Sequence, residues 1–382
     1  MYDERIRKWA DILVEYSAPV RAGHEVVIRG TTLAEPLALE LVRAVLEREG
    51  IPHVRLSPTT TNEYFYRYAP NSVLDRLPEL IHLEYQRVDV VIHVLSEDNT
   101  RALTNVDPQK TVRLQRARQP ISELFMNRSA SGELLWSLTL FPTPAYAQNA
   151  EMGLVEFTEF VFQACFLNDD DPIARWQEQV QRQQQLIDVL QSAREVHIRG
   201  PGTDLRVGVA GRTWINDRGD KNFPGGEVFT GPVEEQVEGH IAFSFPAVHG
   251  GREVRDVRLW FEGGRVVRAE ASHNEEFLLK MVDIDEGARY VGEFAFGTNY
   301  NIHHFIRNTL FDEKIGGTVH MALGRSYPET GGRNVSAIHW DLICDLREEG
   351  EVYVDGELFM HNGQFVLWDE AASIADGRDE AR

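Results

Sequence analysis

The segment SAIHWD, residues 336–341, places His339 and Asp341 two residues apart, with Ile338 and Trp340 interleaved. On a strand, the imidazole and the carboxylate share one face and the two bulky apolar groups share the other. An ionisable pair on a buried strand requires a partner, because an isolated charge is strongly disfavoured in a low dielectric. The same pattern recurs in TVHMALG, residues 318–324, where Val319, Met321 and Leu323 form one face and Thr318, His320 and Ala322 the other. Glu227 stands in a glycine-rich turn running into a strand, NFPGGEVFTGP. Glu293 lies among apolar and aromatic neighbours in YVGEFAFGTN, and FDEKIGGTVHMALGRSY adds Glu313 and Tyr327. A divalent cation would remove the cost of burying these carboxylates and depress their pKa values.

The donor set is three Glu, two His and one Asp, with no thiolate. It suits zinc, cobalt or manganese and argues against a structural cysteine-type zinc site. Five or six protein ligands exceed what one tetrahedral catalytic ion needs. Two ions about 3.5–4 Å apart, bridged by a carboxylate and a water, use them better. Singly, each Glu or His reads as a salt-bridged or capping residue. Together, each flanked by glycine or apolar strand, they read as a ligand set. Other polar residues carry plainer readings. His303 and His304 are candidates to extend the metal site but read more simply as capping or padding a helix start, His361 sits exposed at a hairpin turn, and Lys314 reads equally as a surface lysine or a contact to the substrate or a ligand carboxylate. Arg325 and Ser326, beside Tyr327, are candidates to orient a substrate without a spacing argument. Phe294, Phe296 and Trp340 read as core.

These residues must be positioned by a scaffold whose texture changes midway. The first half alternates helices with apolar strands: an amphipathic helix (Ile6, Trp9, Leu13, Tyr16), the strand HEVVIRG, a helical run EPLALELVRAVLEREG ended by Gly50, then IPHVRLSP. A polar helical stretch near 62–80, the strand VDVVIHVLS, a helix near 107–127 and LLWSLTLFPT follow. This order predicts an open, largely parallel α/β sheet. RGTTLAEP after the first strand is not a dinucleotide fingerprint. NDDDP then caps a long polar helix whose glutamine-rich face reads as solvated or domain-bridging. Beyond it, short strands with glycine-rich turns dominate, in EVHIRGPGTDLRVGVAGR, VRLWFEGGRVVRAEAS and EVYVDGELFMHNGQFVLW, with helices near 274–286 and 303–312. The expected architecture is an N-terminal open α/β domain, residues 1–193 with a linking helix near 172–193, and a β-rich α+β domain, residues 194–382, carrying the metal site. The polar tail 369–382 is expected to fray.

A length of 382 residues favours two domains over one core. The formal charge of −21 disfavours nucleic acid and anionic membrane as partners and mildly favours cationic ligands such as a free amine. Two cysteines exclude a disulfide framework and fit a reducing cytoplasm. The N-terminus is charged from residue 3 and is no signal peptide, and no apolar run approaches a membrane span.

Motif by motif and in order, NFPGGEVFTGP, GEFAFGTN, TVHMALGRSY and SAIHWD resemble the M29 metalloaminopeptidases, the thermophilic aminopeptidase T group. The resemblance covers most of residues 200–345 and is looser before them. It implies exopeptidase action on short peptides with a free N-terminus, two divalent ions per chain (zinc or cobalt, with manganese or magnesium as alternatives) and a homodimer. Carried over by motif, Glu227, Glu293, His320, His339 and Asp341 become metal ligands, and Tyr327 the catalytic tyrosine. The family's acidic ligand usually lies five residues before the first histidine. Glu313 lies seven before it, so the intervening loop reads as longer by two. Glu293 is expected to bridge the ions, and Glu227 or Glu313 to carry a proton. Two rival functions remain at this level. His320, His339 and Asp341 alone form the two-histidine, one-carboxylate set of an iron(II) aromatic-ring-cleaving dioxygenase, and a metal-dependent peptide-binding protein would need no Tyr327.

Overall fold

The computed structural model describes residues 3–249 and 251–368. The tail, residues 369–382, lies outside the described residues, and so does the expectation that it frays. The chain divides into two compact units, Met1–Arg175 with Gly219–Pro224 and Trp176–Arg218 with Gly225–Arg382.

In the first unit, β1 (Glu25–Thr31), β2 (Ile51–Ser57), β3 (Val90–Leu95) and β4 (Leu135–Leu140) form one sheet in the order β2-β1-β3-β4. All three pairings are parallel, as the alternating sequence predicts. Parallel neighbours need crossover connections, and helices supply them: Glu35–Glu47, then three short helices before β3, then Pro108–Ala130. Val26, Val27 and Ile28 in β1 and Val90, Val91 and Ile92 in β3 are buried, which is why these strands read as apolar runs. The polar stretch near 62–80 is not one helix. Pro70 and Pro78 stand at successive N-caps and divide it into Thr61–Tyr68, Asn71–Leu74 and Glu79–Arg87, because proline cannot continue the hydrogen-bond ladder.

The second unit holds two large antiparallel sheets. The eight-stranded one is built from the hairpins expected between 195 and 208, 258 and 270, and 351 and 365, with the strand Val237–Ala242 joining the first two. The five-stranded one contains β5 (Ile215–Asp217), β6 (Glu227–Thr230), β7 (Val291–Gly297), β8 (Thr318–Gly324) and β9 (His339–Asp345), in the order β9-β8-β7-β6-β5. Strand alternation sorts its side chains. Val228, Phe294, Phe296, Val319, Met321, Leu323, Trp340 and Leu342 enter the same core as Val196, Ile198, Leu205 and Leu259 of the larger sheet. Phe294, Phe296 and Trp340 are therefore core, as read from sequence. The opposite face of the five-stranded sheet carries the chemistry.

The glutamine-rich face of the helix Pro172–Leu190 is mostly solvated, with Gln177, Gln181, Gln184 and Gln185 exposed, but Gln179 and Gln183 are buried. The helix expected near 303–312 shrinks to Thr309–Asp312. Arg307 takes a left-handed φ of 59°, and the Asp312 carboxylate accepts the backbone N–H groups of Ile306 and Asn308, so a capped loop replaces the first turns.

Candidate active site

Register places the candidate residues side by side. Across three strands, Glu293, Ala322 and Asp341 stand in one row, and Ala295, His320 and Ile343 in another. The small Ala322 between the two carboxylates leaves room above it. His339 pairs with Gly324 at the end of β8, and at the far edge Asp217 pairs directly with Glu227. The turn before Glu227 depends on Gly226, whose φ is +123° and whose added Cβ would lie 2.6 Å from Asn299 Cβ. That close approach seats Gly225 and Gly226 against Asn299, immediately before Glu227.

Among the described residues, three groups of donors have ligand atoms within 4.8 Å of one another: Glu227, Glu293 and His320; Glu293, His339 and Asp341; Glu313, His320 and Asp341. All six sequence-predicted ligand candidates are thus brought together. Glu313, despite its longer loop, directly follows the helix Thr309–Asp312 and reaches His320 and Asp341. Glu293 belongs to two groups. Its Oε1 lies 3.6 Å from His320 Nε2 and its Oε2 3.1 Å from His339 Nε2, one oxygen toward each imidazole. His320 Nε2 is also 3.2 Å from Glu227 Oε2, and His339 Nε2 is 3.4 Å from Asp341 Oδ1. His339 Nδ1 lies 2.8 Å from the Arg325 carbonyl, to which it donates, fixing the tautomer that presents Nε2 to the carboxylates. His320 and His339 fall in different donor groups among the described residues, and Glu293 lies between them. A single ion held by His320, His339 and Asp341 alone does not match this arrangement.

The donors fit a metal. Glu227 Oε2, Asp341 Oδ1 and both ring nitrogens of His320 are buried without a hydrogen-bond partner. Such groups are costly to leave unsatisfied, and oxygen and imidazole nitrogen are the donors that divalent cations take.

Electrostatics agree. Burial pushes the Glu227 carboxyl well above its ordinary range despite Lys314, and burial also raises Glu313. Burial would raise Glu293 too, but the neighbouring imidazoles of His320 and His339 bring it down to about 2. Burial disfavours the imidazolium of His320 and His339, yet the surrounding carboxylates override it and raise them to about 9 and about 11. Without a cation, therefore, protons and Lys314 balance the carboxylates.

Lys314 is no surface lysine. It is fully buried, in contact with Glu313, 3.4 Å from Glu227 and 3.8 Å from Asp217. Sequence reasoning also missed Asp217, at the end of a three-residue strand, and Gln183. The Gln183 amide donates to the carbonyls of Glu227 at 3.1 Å and Asp217 at 2.9 Å, holding the backbone beneath both carboxylates.

Tyr327 packs against His339, ring centroids 5.1 Å apart, and edge-on against Phe229 at 5.8 Å. It remains 39% exposed, so one side of the ring is open to solvent beside the donor cluster. Burial of its polar end, then the charges of Glu293, Asp341, Glu313 and Glu227, push its hydroxyl far above the usual phenol range and keep it a donor. His303, His304 and His361 are exposed, and none belongs to a donor group among the described residues. Arg325 is exposed, whereas Ser326 is buried and its hydroxyl donates to the Gly292 carbonyl at 2.8 Å.

Residues 2–365 match the family described as thermophilic metalloprotease (M29). Aminopeptidase T of Thermus aquaticus is 27% identical, the alignment covering 96% of this chain and 99% of that protein. Aminopeptidase 2 of Geobacillus stearothermophilus is 26% identical, with 93% and 96% covered. The solved structure of wild-type AmpT from Thermus thermophilus superposes with a TM-score of 0.83 at 26% identity, covering 96% of this chain and all of that one.

Proposed function

The chain belongs to the M29 thermophilic metalloprotease family, and on that premise we propose that it is a metalloaminopeptidase removing the N-terminal residue of short peptides. The observation that carries the proposal is the convergence of Glu227, Glu293, Glu313, His320, His339 and Asp341 on one sheet face, with buried oxygens and ring nitrogens left unsatisfied. With Asp217 the pocket holds five carboxylates against one ammonium, a formal charge of −4 when both imidazoles are neutral. Two divalent cations would neutralise that charge; Glu293 and Asp341 each belong to two donor groups, and Glu293, with one oxygen toward each imidazole, would be the carboxylate shared between the ions.

Bound there, the cations supply Lewis acidity and bring the pKa of a water to near neutrality. The protein's own groups do the rest. Tyr327 donates a hydrogen bond to the oxyanion that develops at the scissile carbonyl. Glu227 or Glu313, both with raised proton affinity, carries a proton to the leaving amine. Gln183 and the Arg325 carbonyl hold Glu227 and His339 in register for these tasks. Zinc or cobalt suits the donor set, with manganese or magnesium as alternatives. We place the catalytic machinery in the domain beginning at residue 194 and the enzyme, as a homodimer, in the cytoplasm. The cytoplasmic reading rests on two free, buried cysteines. No helix among the described residues is long and apolar enough to cross a membrane.

Metal analysis of the purified chain, followed by assay on amino-acid amides and peptides with and without chelator, tests the proposal. Two ions per chain and chelator-sensitive release from free, but not N-acetylated, peptides are expected. One iron per chain, with oxygen uptake on an aromatic diol and no amide hydrolysis, overturns it.

A further inference from the structure

Tyr327 caps a single 3-10 turn, Pro328–Thr330, at the head of an otherwise irregular loop, and a catalytic hydroxyl must be held closely. The loop's support comes from a buried ion pair. Arg212 and Glu234 are each only 7% exposed and bond to each other. Their remaining capacity goes to one stretch of main chain. The Arg212 guanidinium donates to the Gly331 carbonyl, and Glu234 Oε1 accepts the Arg333 N–H at 2.6 Å. Between these points and the tyrosine, the buried Thr330 hydroxyl donates to the Tyr327 carbonyl at 2.6 Å, while the Thr330 carbonyl accepts the Thr213 N–H at 2.9 Å. A charge pair taken out of water is weak evidence for stability, since apolar replacements often fold as well or better. What it does supply is directional, charge-assisted hydrogen bonding at fixed points.

We infer that Arg212 and Glu234 are positioning residues for the reaction, a buried clamp on residues 331–333 that sets the Tyr327 hydroxyl over the donor cluster. The inference rests on the reading of Tyr327 as the oxyanion donor. It extends that reading to a pair that belongs to none of the donor groups among the described residues and lies outside every motif that marks them. Misplacing a reacting group by about 1 Å can cost on the order of 100-fold in rate. Releasing the clamp is therefore expected to lower kcat about 10- to 100-fold while KM and metal content stay at wild-type values.

The test is a double-mutant cycle on the full, metal-loaded chain, with kcat, KM and metal content measured on an amino-acid amide. The variants are Glu234→Ala, Glu234→Gln, Arg212→Lys and Tyr327→Phe, each clamp variant also combined with Tyr327→Phe. Glu234→Ala should lower kcat alone, Glu234→Gln should recover part of the loss because its carbonyl still accepts the Arg333 N–H, and neither should slow the Tyr327→Phe enzyme further. If Glu234→Ala does not fold, Glu234→Gln and Arg212→Lys carry the same cycle with smaller expected losses. A clamp variant with wild-type kcat overturns the inference. So does an equal loss in the Tyr327→Phe background, which would mark the pair as structural only. Full activity in the Tyr327→Phe single variant removes the catalytic reading of Tyr327, and the clamp's role with it; that outcome is told apart because it appears before any clamp residue is changed.

Discussion

Lys314→Met tests the charge balance of the site most directly. The ammonium is fully buried, 3.4 Å from Glu227, 3.8 Å from Asp217 and in contact with Glu313. At an effective dielectric of about 20, such separations correspond to about 5 and 4 kcal/mol of attraction, much of it offset by desolvation. Removing one partner of a buried pair typically costs about 3–5 kcal/mol, because the other charge is left uncompensated. For a unit of this size that is a fall in Tm of about 6–20 °C. The penalty belongs to the chelated protein. When divalent cations occupy the carboxylates, the missing ammonium matters less, so the difference in Tm between chelated and metal-saturated protein should widen in the variant. Differential scanning fluorimetry on four samples, wild type and variant each chelated and saturated, measures this. A chelated variant melting within about 2 °C of wild type, or a gap that narrows, refutes the reasoning.

Tyr327→Phe should lower kcat by about 100- to 1,000-fold with metal content unchanged, read from steady-state kinetics on an amino-acid amide. The chelated protein should lose stability in alkali. The imidazoles of His320 and His339 are raised from 6.5 to about 9 and about 11, so their contribution is complete below 6.5 and disappears as pH climbs through those values. By the same linkage, adding zinc to chelator-freed protein near pH 7 should release about one proton or more per chain into weak buffer; an unchanged pH would count against protonated imidazoles. Gln183→Leu leaves the Glu227 and Asp217 carbonyls without the amide that caps them, and should cost about 1–3 kcal/mol in urea denaturation. Gly231→Ala would set a Cβ 2.6 Å from Thr330 Oγ1 and 3.2 Å from Gly332 Cα. It should lower kcat more than it lowers Tm, and a wild-type kcat would show that the Tyr327 loop tolerates the push.

The alternation in TVHMALG and SAIHWD was enough to place His320, His339 and Asp341 on the non-core face, because side-chain direction along a strand has a period of two residues. The apolar runs VVI and VVIHV likewise announced a parallel sheet, since strands buried on both faces read as continuous hydrophobic stretches. Glycines beside Glu227 signalled a close approach of chains without saying which chain would approach; that segment is the one around Asn299, more than 70 residues away. Other features depended on partners that only the folded chain assembles. Lys314 has the sequence neighbourhood of a surface lysine, and its burial follows from Asp217 and Glu227 arriving on paired strands at one end of the sheet. Gln179 and Gln183 carry no helical signal that separates a solvated amide from a buried one; what decides is that strand-end carbonyls lie opposite them. Arg212 and Glu234 sit in separate loops and meet only when the two sheets of the second unit close on their shared core. Periodicity reports which way a side chain faces, a local property of the backbone. What it faces is set by contacts between distant segments, and those belong to the tertiary structure.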